Sequence, residues 1–366
     1  MIVKTKEFKE ACQTILYAID NKNVSLFTET LELVVKKKVL YLNVTNREYY
    51  TSVSFNLDKD EKFRAAVNAK TFLSLVSKIT TDTIELSISN NALKVMTSNG
   101  EYTFPLIYND DKLLELPTID LGTVTCNMNI NSSILLSILL NNSKELQRGL
   151  PVKPAQNYYY VDQQGAITFT SGACVNSFKL DKPLKILLSD KVVKLFKLFK
   201  SDNSVSFRMG QKAISNDMVQ TAVEFKTDKV NIMAKLPDSS IITGVPVTNI
   251  RGMATKTFPF TMTISRTDLL QALNRIMLFV EESKTYGRVV IKDNKITISN
   301  YAGGSEEALY STNQFNGEYK MILDLKNLKL ILDGCDDEFI TMCFGDGKAV
   351  VIKKQSVYDM LPELKE

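Results

Sequence analysis

The chain has 366 residues, 44% hydrophobic and 23% charged, which is ordinary globular composition with material for more than one core. Its 45 basic and 41 acidic residues leave a formal charge of only +4, so any field that holds a polyanion must come from uneven placement. Histidine and tryptophan are absent, which disfavours Ser-His-Asp and Cys-His catalysis and removes histidine-ligated metal sites.

The N-terminus, MIVKTKEFKEACQTI, lacks the apolar run of a signal peptide, and no segment approaches membrane-spanning length. Its stretch KEFKEACQTILYAI predicts a first helix. Period-two strands follow in KVLYLNVTN, and AKTFLSLVSKI predicts a second helix that runs into TIELSIS, ALKVMTS and YTFPLIY. Asn90-Asn91 and Asn99-Gly100 mark turns between them. NSSILLSILLNN and DKVVKLFKLFK predict the next helices, the latter leading to SVSFRM, TAVEFKT and VNIMAKL. SRTDLLQALNRIML opens with Ser265 and Asp268 in capping-box spacing. RVVIKDN and KITISNY come next, and DLKNLKLILDG enters FITMCFG and AVVIKK.

These helices form two sets. Leu73, Val193 and Leu328 align in one, and Ala11, Leu135 and Leu269 in the other, each repeating at roughly 120–135 residues, the signature of internal triplication. Boundaries near LPTIDLGT and IRGMATKTFP give three domains, 1–120, 121–254 and 255–366. The expected class is α+β, each domain being two βαβββ-like halves with helices on one face of antiparallel sheet.

In DKVVKLFKLFK, Val192, Leu195, Phe196 and Phe199 share one helical face, with Val193 and Leu198 at its margins. Lys191, Lys194 and Lys197 take the opposite face. The apolar side reads as core beneath a sheet. A membrane is a poor partner, because the helix is short and equivalent stretches carry Thr71, Ser74 and Ser77, or Lys326 and Lys329. The other helix set adds Lys6, Lys9, Lys144, Arg148, Arg266 and Arg275, whereas acids cluster in NLDKDE, YNDDKLLEL, GCDDE and GGSEEA. Basic faces repeated on equivalent helices suit a polyanion.

Weaker patterns fail on their frames. GDGKAVV lacks the phosphate-loop spacing and precedes a strand, so it predicts a hairpin turn. DGCDDE lacks the alternating ligands of a calcium loop. The five cysteines, Cys12, Cys126, Cys174, Cys335 and Cys343, form no C-x-x-C pair and read as reduced, buried thiols of a cytoplasmic protein. No carboxylate pair stands in a catalytic frame, so the expectation is a non-enzyme without metal or other cofactor.

Taken in order, these segments resemble the bacterial-type DNA sliding clamp, the ring-forming beta subunit of the replicative polymerase. NAKTFLSLVSKITTDTIELSISNNALKVMTSNGEYTFPL is similar to the second half of the clamp's first domain. ISRTDLLQALNRI, YGRVVIKDNKITISN and MILDLKNLKLILDGCDDEFITMCFGDGKAVVIKK follow the third domain, and YDMLPEL resembles the terminal hydrophobic-Pro segment. The middle domain diverges most, although ITFTSGA sits where the family has a strand and a Gly turn. The divergence points to a phage or plasmid clamp, or to an unusual bacterium.

The resemblance implies a homodimer closed head to tail around double-stranded DNA, with the helices inside. Duplex DNA presents about one charge per 1.7 Å, which helical Lys and Arg hold without reading bases. The implied DNA-facing residues are Lys9, Lys22, Lys144, Arg148, Tyr158, Tyr159, Lys191, Lys194, Lys197, Arg266, Lys326 and Lys329. The implied dimer interface joins EYTFPLI to NYAGGSEEALY, with Lys94, Tyr102 and Phe104 opposite Glu306 and Glu307. Replicative polymerase and clamp loader would dock short hydrophobic peptides against Tyr160, Gly172, Val175, Pro246, Asn327, Ala349, Met360, Leu361 and Pro362. The chain departs from the family at Ala173 and Cys174, often His and Arg there, and at Glu363, commonly apolar. Removing Met360 to Glu366 is then expected to leave the ring intact. The alternatives are a β-rich nucleic-acid binder that does not encircle its ligand, and an enzyme using Asp, Lys or Ser. The triplication favours the clamp.

Overall fold

The structure, a computed structural model, describes residues 1–20, 25–215, 218–282, 284–301, 303 and 306–364. Eight α-helices occur among them: α1 (Thr5–Leu16), α2 (Ala69–Lys78), α3 (Ser132–Ser137), α4 (Ser143–Glu145), α5 (Asp190–Lys194), α6 (Val247–Thr255), α7 (Arg266–Ile276) and α8 (Leu325–Asp333). The strands among the described residues pair antiparallel.

The long helices share one construction. Phe8, Ala11, Cys12 and Ile15 of α1 are buried, as are Ala69, Phe72, Leu73 and Val76 of α2 and Leu269, Ala272, Leu273 and Ile276 of α7. That spacing puts one apolar stripe against a sheet. Three of them begin where a strand ends, and the last strand residue is the cap. Asn68 accepts from the Thr71 amide at 3.0 Å, Ser265 from Asp268 at 3.3 Å and Asp324 from Asn327 at 3.0 Å.

The chain divides into two compact units, residues 1–133 with 194–237, and residues 134–193 with 238–366. In the first, an eight-stranded sheet runs in the order Thr123–Asn131, Ser204–Ser215, Met218–Lys226, Val230–Lys235, Tyr49–Asn56, Val39–Thr45, Thr30–Lys36, Arg64–Asn68. A four-stranded sheet runs Ile2–Lys4, Thr83–Ser89, Ala92–Thr97, Gly100–Pro105. In the second unit the eight strands are Lys185–Ser189, Tyr158–Asp162, Gly165–Phe169, Ala173–Ser177, Val357–Pro362, Ala349–Lys353, Phe339–Phe344 and Phe260–Ser265. Its four-stranded sheet runs Glu306–Tyr310, Lys295–Asn300, Tyr286–Lys292, Glu318–Asp324.

Residues 121–254, expected as a middle domain, thus contribute to both units. The reason lies in the ladders. Val230–Lys235 pairs with Tyr49–Asn56, and Ala173–Ser177 pairs with Val357–Pro362, so each large sheet continues past a sequence repeat. In the second unit, α7 and α8 pack on a core that includes Met262, Val289, Ile298, Leu323, Phe344 and Leu361.

Two helices depart from the sequence reading. DKVVKLFKLFK is α-helical only to Lys194 and tightens into a 3-10 turn over Leu195–Phe199. α3 and α4 are separated by a π turn, Ile138–Asn142. There the fully buried Asn142 amide donates to Ala166 O, Thr168 Oγ1 and Cys174 O at 3.3–3.4 Å, which ties the widened turn to the sheet.

Candidate nucleic-acid and peptide interfaces

Lys194, Lys197 and Lys326 are exposed, while Lys191 is half-buried. Val192, Val193, Leu195, Phe196, Leu198 and Phe199 are all buried, so the apolar face is core as the spacing implied. The 3-10 turn brings residues three apart nearly into line, which stacks the two exposed lysines. Lys197 Nζ lies 4.1 Å from the centre of the Tyr17 ring. Partial burial, then the like charge of Lys194, holds the Lys197 ammonium below the usual lysine range.

Other helix cations are committed to the protein. Lys9 donates to Ile79 O at 2.7 Å at the end of α2, and Arg266 to Leu332 O at 3.3 Å in the last turn of α8. A Cβ added at Gly334 would lie 3.0 Å from Lys144 Cγ, so that lysine stem covers the end of α8. Lys329 pairs with Asp333 one turn on, at 2.7 Å. These groups serve helix ends, where carbonyls lack partners and the dipole favours positive charge.

Two expected DNA contacts are corrected. The Arg148 side chain is fully buried, paired with Glu145 at 2.6 Å and with Asp359, and it donates to Met360 O at 3.3 Å. Burial would lower its pKa, but the two carboxylates outweigh burial and hold the guanidinium charged. Tyr159 is also fully buried, its hydroxyl donating to Asp190 at 3.1 Å, and burial pushes its phenol up. Its strand lies between two others, so alternate residues point into a core, whereas Tyr158 is half-exposed. Lys22 lies outside the described residues.

For the peptide site, Tyr160, Val175 and Met360 join one apolar cluster with Ala155, Val245, Ile250 and Phe258. Pro246 is exposed beside them at the start of α6, and Pro362 is exposed opposite Ala349 in the ladder. Leu361 points the other way, into the core under α7 and α8. Asn327 is buried and donates to Ser171 Oγ at 3.2 Å. A Cβ at Gly172 would sit 2.1 Å from Met360 O, so only glycine allows that approach.

The expectation that Met360 to Glu366 can be removed with the ring intact meets a segment whose Met360 and Leu361 both pack into cores. They are 5% and 1% exposed, in a strand flanked on both sides by Ala173–Ser177 and Ala349–Lys353. A terminal segment reads as dispensable until its ladder partners are known.

Several charged groups near the cluster gave no sequence signal. The Tyr160 hydroxyl donates to Asp162 at 3.1 Å, and Arg251 of α6 grips the same carboxylate at 2.6 and 2.8 Å. Burial would raise the Asp162 pKa, but the Arg251 hydrogen bonds help hold it below the ordinary range. Lys354 pairs with Asp359 at 2.9 Å.

The strands expected at a dimer interface, Gly100–Pro105 and Glu306–Tyr310, each end their own four-stranded sheet. Tyr102 is 41% exposed, whereas Phe104 is buried in its own unit. Lys94 pairs with Glu101 at 2.6 Å, and Glu307 with Arg275 at 2.6 Å, so both charges already have partners in the same chain. The Glu306 side chain lies outside the described residues. Among the described residues no His, Cys, Asp or Glu cluster is arranged for a metal ion, and no helix is long and apolar enough to cross a membrane.

Residues 1–115 match the family described as DNA polymerase III beta subunit, N-terminal domain. The beta sliding clamp of Mycoplasmopsis pulmonis is 26% identical over 143 residues, which span 37% of this chain and 36% of that protein. The DNA polymerase III subunit beta of Pseudomonas aeruginosa superimposes with TM-score 0.83 at 15% identity, covering 100% of this chain and 99% of that one. The Bacillus subtilis sliding clamp gives 0.79 at 16% identity, covering 100% and 98%. The Thermotoga maritima beta subunit gives 0.81 at 15%, covering 100% and 99%. The sequence matches show that residues 1–115 resemble the beta-subunit family, and the superpositions show the sliding-clamp fold over the whole length of the chain.

Proposed function

We propose that this chain is a DNA sliding clamp, two copies of which close head to tail around duplex DNA and hold a replicative polymerase there. The observation that carries the reading is the division of labour on the helices. Their apolar stripes are buried against sheets, which leaves Lys194, Lys197 and Lys326 exposed. Such contacts hold phosphates of any sequence.

Ring closure is supported by the two sheet edges. An unpaired edge strand is a template for another chain. Pairing Gly100–Pro105 of one copy with Glu306–Tyr310 of the other would make a heterologous contact, and two such contacts would close the proposed ring. The sequence repeats 1–120, 121–254 and 255–366 would be the ring's domains. The apolar cluster of Tyr160, Val175 and Met360, rimmed by Pro246, would receive hydrophobic peptides of the polymerase and the clamp loader in the cytoplasm. The protein's task in this reading is tethering, and no residue takes a catalytic role.

The test is topological. Loaded on a nicked plasmid with a bacterial clamp loader, the protein should survive a salt wash and leave when one restriction cut linearises the DNA. Equal retention on circular and linear DNA would instead favour the non-encircling binder.

A further inference from the structure

Glu145 and Arg148 stand one turn apart, fully buried, and reach two backbone segments far away in sequence. Glu145 Oε1 accepts from the Thr170 amide at 2.8 Å, the Thr170 hydroxyl at 2.9 Å and the Gly172 amide at 3.1 Å. Arg148 donates to Met360 O at 3.3 Å and pairs with Asp359. Ser171 closes the loop by donating to Arg148 O at 3.1 Å. The turn Thr170–Gly172 and the strand carrying Met360 are therefore held by one ion pair, at the spot where a Cβ on Gly172 would lie 2.1 Å from Met360 O.

These segments carry Gly172, Val175 and Met360, residues of the proposed peptide site. We propose that the Glu145–Arg148 pair, with Asp359, is a positioning device that fixes the spacing of that site and thereby sets its affinity for an extended hydrophobic peptide. The inference rests on the clamp reading. A guanidinium suits the task because its planar fork serves a carbonyl and two carboxylates at once, which an ammonium on a flexible stem does not. Neither side chain touches the peptide; both act through the backbone they hold.

The experiment measures anisotropy of a fluorescein-labelled short peptide with two leucines and a terminal phenylalanine, titrated with the full chain. Wild type should bind. Arg148→Lys keeps the charge and loses the fork, and its Kd should rise about tenfold, the loss of one charge-assisted hydrogen bond. Asp359→Asn, which keeps an acceptor, should lose less and provides the reading if Arg148→Lys does not fold. Both are measured well below each variant's Tm. A purely structural role would lower Tm and leave the affinity of folded protein unchanged, which overturns the proposal while leaving the clamp reading intact. Absence of binding by wild type overturns both.

Discussion

Arg148 and Asp359 are ion-paired in the interior although 211 residues separate them in the chain. Each also has a second charged partner, Glu145 for the arginine and Lys354 for the aspartate, so two cations and two anions balance out of water. Burial is the largest influence on Glu145 and leaves its pKa raised, even with Arg148 beside it.

Cutting this network should be costly. Arg148→Met leaves the buried Glu145 carboxylate without its cation and Asp359 with Lys354 alone, and a loss of about 3–5 kcal/mol is expected in urea denaturation. A change below about 1 kcal/mol would mean that water reaches the site and screens the pair.

The acid dependence of stability should carry the Asp162–Arg251 signature. The folded-state pKa of Asp162 is depressed, so its contribution is present above the unfolded value of about 3.9 and is lost as pH falls through the folded value. Asp162→Asn should therefore flatten the stability profile below about pH 4 and lower stability at neutral pH. Parallel acid profiles for the two proteins would remove Asp162 from the account.

The C-terminal strand supplies a further contrast. Deleting Met360 to Glu366 removes half of a strand that pairs on both sides and should abolish cooperative unfolding in circular dichroism. Stopping after Pro362 removes the Glu363 contact to Tyr319 and the bridge from Leu364 to Ile322, and should lower Tm only modestly. Met360→Ala should cost about 2–5 kcal/mol. A native-like protein lacking Met360 to Glu366 would restore the view of the segment as a detachable wall.

For DNA, the combined change of Lys194, Lys197 and Lys326 to Ser should weaken binding about equally for all sequences and flatten the dependence on salt. An unchanged slope of log affinity against log salt would place these lysines away from the phosphates.

Periodicity carried the fold a long way. Leu73, Val193 and Leu328, aligned as equivalents, are 4%, 0% and 1% exposed, and Ser265 caps α7 as its spacing implied. The turn signal at Asn90-Asn91 sits at positive φ, as a tight hairpin requires. The pair Lys37-Lys38 makes the same kind of turn with residues that do not announce it. The site was less legible because periodicity reports which face is apolar, not which partner a polar group finds. Arg148 reads like any basic residue near a helix end, Tyr159 like part of a tyrosine run, and Met360 like a tail. Their surroundings come from strands and turns that lie distant in sequence. Lys9 and Arg266 read as a basic face, but their hydrogen bonds go to helix ends.

The central claim is a ring of two chains, and mass in solution tests it most directly. Light scattering on the eluting peak at micromolar concentration should give twice the chain mass, because closure needs both free edges of both copies. A monomer alone, or a trimer, would contradict the account.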